Sequence, residues 1–345
     1  MKADKNWCMS SYLTFRYVAK KNLVFKTGLL HKEHELIADS DKFKCKDADE
    51  IDFYIKKVLN EYDLSKSAIF LSGGMDSSIL ASYLPKGARA YTSKCVGQSA
   101  VDETERAKEI CDICGLKHII VDVSWNDYVD SMSDLALHDG SPIIPNEPQA
   151  YMMAKRAVRD GATLLIYGDC ADTEFGGMNK MLERDWTFDE RIKRFTFLEP
   201  EKVLKKPANV NEIYEHYRVG SDNVNFIDFI RQIYVISASG ASSNAIRAVG
   251  AKHVDPYEHL KMESKFDLKR IRSGDTKYLI RDLFKMKYPQ LPILEKLPMS
   301  RPAEEWLKDW NGPKRDEFLP NCVEKLTGEQ KLLVYSLERF LNLIE

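Results

Sequence analysis

Long apolar runs are missing from this sequence. One of its longest, Thr163 to Tyr167, is far shorter than the roughly 20 residues needed to cross a bilayer. Residues 1–5 are polar and charged, and no apolar centre of a signal peptide follows them. An excess of one charge is also lacking. Lysine and arginine number 51 against 53 acids, so bulk charge gives no argument for nucleic acid or for an anionic membrane. Cysteine is sparse and odd in number: seven dispersed residues imply reduced thiols rather than a disulfide framework. Internal repeats and low-complexity segments are absent. The expectation is a cytoplasmic protein with no membrane and no nucleic-acid partner, and with 44% hydrophobic residues to fill one large core or two modest ones.

What is present is an alternation of short apolar strands and helices. The hydrophobic pattern predicts strands over 68–71, 89–95, 118–123 and 163–167. Helices are expected from about 75 to Pro85, over 102–115, 126–137 and about 149–160. Alternating short strands and helices imply βαβ units and a parallel sheet, whose ligands sit at the carboxyl ends of the strands. Beyond residue 180 the pattern turns helical and charged. The first 60 residues suggest strands near 12–18 and a helix over 48–62. Three regions are therefore expected: an N-terminal extension over 1–64, a nucleotide-binding α/β region over 65–180, and a mainly helical region over 181–345 closing the site.

Two glycine-containing turns leave the strand ends. The first, Ser72-Gly73-Gly74-Met75-Asp76-Ser77-Ser78, lies between a strand and a helix. Glycines let successive backbone N–H groups turn toward an anion, and the helix start and serine hydroxyls add donors. A carboxylate inside such a loop needs a cation between it and the phosphate, so Asp76 points to Mg²⁺. No lysine follows the glycines, which excludes the Gly-Lys-Ser/Thr type of nucleotide loop. The second turn is Gly168-Asp169-Cys170-Ala171-Asp172-Thr173-Glu174-Phe175-Gly176-Gly177.

The first turn resembles the SGGxDSS signature of PP-loop ATP pyrophosphatases. The second resembles, without a gap, the GEGADELFGG motif of the asparagine synthetase synthetase domain. The stretches Val101-Asp102-Glu103 with Ala107, Arg247 with Asp255-Pro256-Tyr257-Glu258, Lys277-Tyr278-Leu279-Ile280-Arg281, and Pro292 to Arg301 also resemble segments of that family. The resemblance spans about 65–310 and implies a five-stranded parallel sheet of the PP-loop (adenine nucleotide alpha hydrolase-like) type with a helical C-terminal extension. It implies ATP and Mg²⁺ as cofactors, with Ser72, Gly73, Gly74, Asp76, Ser77 and Ser78 at the nucleotide and Asp76 and Asp172 at the metal. Lys277 and Lys296 match lysines placed over the phosphates and the reacting carbonyl. Asp169 stands where the family has a glutamate near the nucleophile's proton, and Glu147 falls near the substrate.

The implied reaction is adenylation of a carboxylate, with release of pyrophosphate, followed by attack of ammonia or an amine. Three departures stand out: Asp169 for glutamate, Cys170 for glycine and Thr173 for an acid. About 65 residues precede the first loop, too few for a glutaminase domain, and Cys8 is not expected as an N-terminal nucleophile without additional processing. Nitrogen is thus expected from free ammonia, a substrate amine or a separate glutaminase subunit.

Two other readings compete. A tRNA-thiolating PP-loop enzyme would use Cys111-Asp112-Ile113-Cys114 as an exposed, acidified thiol pair, yet these lie among apolar residues of a helix, with no second CxxC and no basic aromatic stretch. A non-catalytic nucleotide-binding subunit would have no need of both aspartates. His138-Asp139 reads as a turn-forming pair before prolines, Trp306 and Trp310 as packing residues, and Lys20-Lys21 as a solvated face.

Overall fold

The computed structural model describes residues 1–32, 34–295 and 301–345. Its centre is a five-stranded, wholly parallel sheet: β1 (Ser67–Phe70), β2 (Arg89–Cys95), β3 (Lys117–Val123), β4 (Leu164–Ile166) and β5 (Lys252–Val254). The spatial order is β5-β4-β1-β2-β3. The chain winds outward from β1 through β2 to β3, then returns to β4 on the other side of β1. That reversal puts the loop after β1 next to the loop after β4, at the switch point where open α/β sheets bind ligands. All of β1 and β4 is buried, which explains why both read as uninterrupted apolar runs.

Four strands lie where the pattern places them. The fifth is only Lys-His-Val, too short and polar to stand out, and pairing with β4 fixes it. Helices Met75–Ala81, Thr104–Cys114, Trp125–Asp139 and Glu147–Arg159 fill the crossovers. Helix Trp125–Asp139 opens with a capping box in which Ser124 and Asp127 satisfy each other's backbone donors. It runs on through His138 and Asp139, so that pair closes a helix instead of shaping a turn.

The strand expected near 12–18 is a helix, Lys5–Phe15. Every residue from Trp7 to Phe15 is buried. A helix enclosed on all sides has no polar stripe to reveal its period, and its aromatic content imitates a strand. The N-terminal segment packs into the same core: Phe43–Cys45 pairs in parallel with Leu260–Met262, and helix Ala48–Leu59 carries the expected amphipathic face. The C-terminal helix Gly328–Ile344 sets Phe340 edge-on to Phe25, with ring centroids 4.8 Å apart. Trp306 packs beside Trp125 and Tyr128 at 5.4 and 5.3 Å, as a packing role requires. Among the described residues no helix is long and apolar enough to cross a membrane.

Candidate active site

The loop after β1 is shaped by its own side chains. The hydroxyls of Ser72 and Ser77 meet at 3.1 Å, Gly74 N–H donates to Ser72 Oγ at 3.2 Å, and Ser78 Oγ donates to Gly74 O at 2.8 Å. Gly73 has φ +72°, and a Cβ there would lie 2.6 Å from the backbone nitrogen of Ala107. The tight turn therefore depends on that glycine twice, through its backbone angle and through its contact with the next crossover helix.

Asp76 lies in the first turn of helix Met75–Ala81, and Asp172 in the single turn Ala171–Glu174 that follows β4. Lys277 joins them. Its Nζ donates to Asp76 at 2.9 and 2.7 Å and lies 2.9 Å from Asp172 Oδ1. The lysine is buried, and its backbone sits in the left-handed region at φ +50°, ψ +40°, at the start of helix Tyr278–Lys287. A non-glycine residue in that region carries strain of roughly 1 kcal/mol or more, and here the strained residue carries the ammonium between the two carboxylates. Gly177 leaves room for the arrangement, since a Cβ there would fall 2.0 Å from Asp172 Oδ1.

A cation between these carboxylates is thus built into the fold. The donor set fits Mg²⁺, which takes one or two protein carboxylates and completes its shell with phosphate and water oxygens. Among the described residues no group of three or more histidine, cysteine or acidic side chains gathers to hold a metal alone. A metal held by Asp76 and Asp172 would therefore take its remaining ligands from phosphate or water oxygens.

Asp169 is on the same loop as Asp172, and its Oδ2 accepts from Ser242 Oγ at 2.6 Å. Behind it, buried Asp255 accepts from Cys170 N–H at 2.8 Å and from Tyr257 N–H at 2.9 Å. Burial first, then the neighbouring Asp169 charge, raise the Asp255 carboxyl well above the usual carboxylate range. Tyr257 in turn donates its hydroxyl to the carbonyl of Asp76 at 3.0 Å. The stretch 255–258, matched only loosely in sequence, thus ties the two loops together. Periodicity gives no sign of these contacts, because they cross between loops distant in the chain.

Glu147 takes its partners elsewhere. It is buried at the start of helix Glu147–Arg159, and its Oε2 accepts from Ile144 N–H at 2.7 Å. Burial, reinforced by the adjacent Asp139 carboxyl, pushes its pKa well above the ordinary range and favours the protonated form. It lines a cavity of about 30 Å³ with His31, His34, Ser141 and Asn244, a space on the scale of a water molecule. Lys296 lies outside the described residues. Glu174, one position beyond the acid that Thr173 replaces, is buried and paired with Lys42 at 2.8 Å and Arg231 at 3.2 Å. Neither partner is legible from the sequence, each being distant in the chain from residue 174.

Cys111 is buried and Cys114 half-buried, its sulfur 3.2 Å from Tyr288 Oη. Burial pushes the Cys111 thiol up to about 12 and raises Cys114 as well.

A family profile described as Asparagine synthase matches residues 65–286. The nodule asparagine synthetase (glutamine-hydrolyzing) of Pisum sativum is 30% identical over 137 residues, covering 36% of this chain and 23% of that protein. Asparagine synthetase (glutamine-hydrolyzing) 1 of Bacillus subtilis (strain 168) is 31% identical over 113 residues, covering 32% of this chain and 18% of that one. The matches thus span about a quarter or less of these curated relatives. Among solved structures, the U34-tRNA thiolase NcsA from Methanococcus maripaludis with its 4Fe-4S cluster aligns over 86% of this chain and 80% of its own. That alignment has 16% identity and a TM-score of 0.32, too loose a superposition to bear on the site. The profile takes in well over half of the 345 residues, including both loops and Lys277, and the chain belongs to the asparagine synthase family.

Proposed function

We propose that this protein is an ATP-dependent, amide-forming ligase that adenylates a carboxylate and passes the acyl group to ammonia or an amine. The observation that carries this reading is the convergence of Asp76, Asp172 and Lys277 on one point at neighbouring strand ends. In the proposed first step a carboxylate oxygen of the substrate attacks the α-phosphorus of ATP. The bond from that phosphorus to the bridging oxygen breaks, and pyrophosphate leaves. Negative charge grows on the leaving group, and fixed cations in a partly dry site stabilise it most effectively. Asp76 and Asp172 would hold Mg²⁺, which supplies positive charge to the departing pyrophosphate. Lys277, released from the carboxylates, would turn its ammonium to the phosphates. In the second step nitrogen attacks the acyl carbon, AMP departs, and the nitrogen gives up a proton. Asp169, oriented by Ser242, is assigned as its acceptor.

The non-acidic thiols of buried Cys111 and half-buried Cys114 favour this reading over sulfur delivery, which needs an accessible thiolate. The test is ATP–pyrophosphate exchange with Mg²⁺ across a panel of carboxylic acids, with Asp76→Ala as control. Exchange that requires one acid and vanishes in Asp76→Ala is expected. Tight ATP binding with no exchange for any acid would sink the proposal.

A further inference from the structure

Two buried acids, one on the Asp172 turn and one beside the tyrosine that holds the Asp76 loop, are both gripped by one short segment, residues 34–45. Glu174 ends the turn that carries Asp172; it is 1% exposed, and its Oε1 lies 2.8 Å from Lys42 Nζ. Glu258 adjoins Tyr257, whose hydroxyl holds the carbonyl of Asp76. Its Oε1 lies 3.0 Å from Nε2 of buried His34, whose Nδ1 meets Ser243 Oγ at 2.9 Å. The same segment continues into Phe43–Cys45, in register with Leu260–Met262 just beyond Glu258.

We infer that residues 34–45 form a positioning strap for the nucleotide site, with Lys42 setting Asp172 through Glu174 and His34 setting Asp76 through Glu258 and Tyr257. This role rests on the proposed ATP and Mg²⁺ chemistry. The turn 171–174 has four residues and no side-chain cap at its start. Its local Thr173 Oγ1 to Cys170 O bond at 2.9 Å does not tie it to the rest of the fold, so its placement depends on partners outside the turn. Glu174 supplies the anchor, held on one side by Lys42 and on the other by Arg231 at 3.2 Å. Groups that orient a metal's direct ligands typically change its affinity about 10–100-fold when removed.

The charges around Glu174 also identify a usable variant. Two cations face one carboxylate, so Lys42→Met leaves Glu174 paired with Arg231, whereas Glu174→Gln would bury two cations without a counter-charge. The experiment is calorimetric binding of a non-hydrolysable ATP analogue with Mg²⁺ to the full chain. Lys42→Met should bind about 10-fold more weakly, Lys42→Arg should recover most of the loss, and backbone amides of 172–177 should exchange faster in the metal-free variant. In an Asp172→Asn background, Lys42→Met should cost less than about twofold, because a positioning residue has no further effect once its target is gone. His34→Gln, tested in the same way against Asp76→Asn, gives a second and independent arm should Lys42→Met fail to fold. Unchanged affinity in the single variants, or equal losses in both backgrounds, overturns the strap. Wild-type protein that binds no Mg²⁺–ATP analogue overturns the proposed function itself, and the strap's role with it.

Discussion

If Mg²⁺ takes the same two carboxylates that Lys277 holds, as proposed, removing the lysine should strengthen the stabilisation that Mg²⁺ gives. In metal-free protein Lys277→Met leaves Asp76 and Asp172, whose side chains are 14% and 17% exposed, facing each other with no ammonium between them. Breaking a buried ion pair from one side costs about 3–5 kcal/mol, and partial solvation of these acids puts the loss near the lower end, at about 3 kcal/mol. The vacated carboxylates should then bind Mg²⁺ at least about 10-fold more tightly than wild type, since no lysine has to be displaced. At a concentration 100 times the variant's Kd, Mg²⁺ would stabilise it by about 2.7 kcal/mol and the wild type, at 10 times its own Kd, by about 1.4 kcal/mol. Urea unfolding of both proteins across a Mg²⁺ titration measures this difference. If Mg²⁺ stabilises the variant no more than the wild type, or if the metal-free variant loses less than about 1 kcal/mol, the shared-site argument fails.

Other outcomes follow from the buried titrating groups. Burial raises folded Glu147 above its unfolded value, so its contribution is full below the ordinary carboxylate pKa and is lost as pH rises above it, by at most about 1.4 kcal/mol per pH unit. Glu147→Gln should match wild type near pH 5 and exceed it at pH 8 in urea unfolding; parallel pH profiles would refute the assignment. His31 has the opposite sign. Burial lowers it to about 4, so its contribution is complete above about 6.5 and is lost as pH falls toward 4. His31→Leu should flatten the acid side of the stability profile, and a profile as steep as wild type would count against it. The thiols make a functional prediction: Cys111→Ala with Cys114→Ala should retain pyrophosphate exchange, and Cys111 of the wild-type protein should resist alkylation by iodoacetamide at neutral pH. Rapid labelling of Cys111 would contradict its burial.

The sheet was legible because β1 and β4 are buried on both faces and each ends in a glycine turn, so strand and loop announce each other. Asp76, Asp172 and Lys277 were legible from local strings, and the fold brings all three together. The helix Lys5–Phe15 was not, because burial on every side erases the polar stripe from which a helical period is read. The anchoring acids were illegible for another reason. Glu174 and Glu258 look like surface charges until Lys42, 132 residues away, and His34, 224 residues away, are seen against them. A buried charge is identified by its partner, and sequence spacing carries no information on partners this remote.

The parallel pairing of Phe43–Cys45 with Leu260–Met262 bears on how the molecule is made. A ribosome releases the N-terminal strand more than two hundred residues before its mate exists, so that strand waits unpaired while the central sheet assembles. The profile match begins only at residue 65. Protein trimmed to that boundary would expose the backbone edge of Leu260–Met262, an open template for pairing with another molecule. Expression of the excised region should therefore yield more aggregate than the full chain, with the first 64 residues covering that edge.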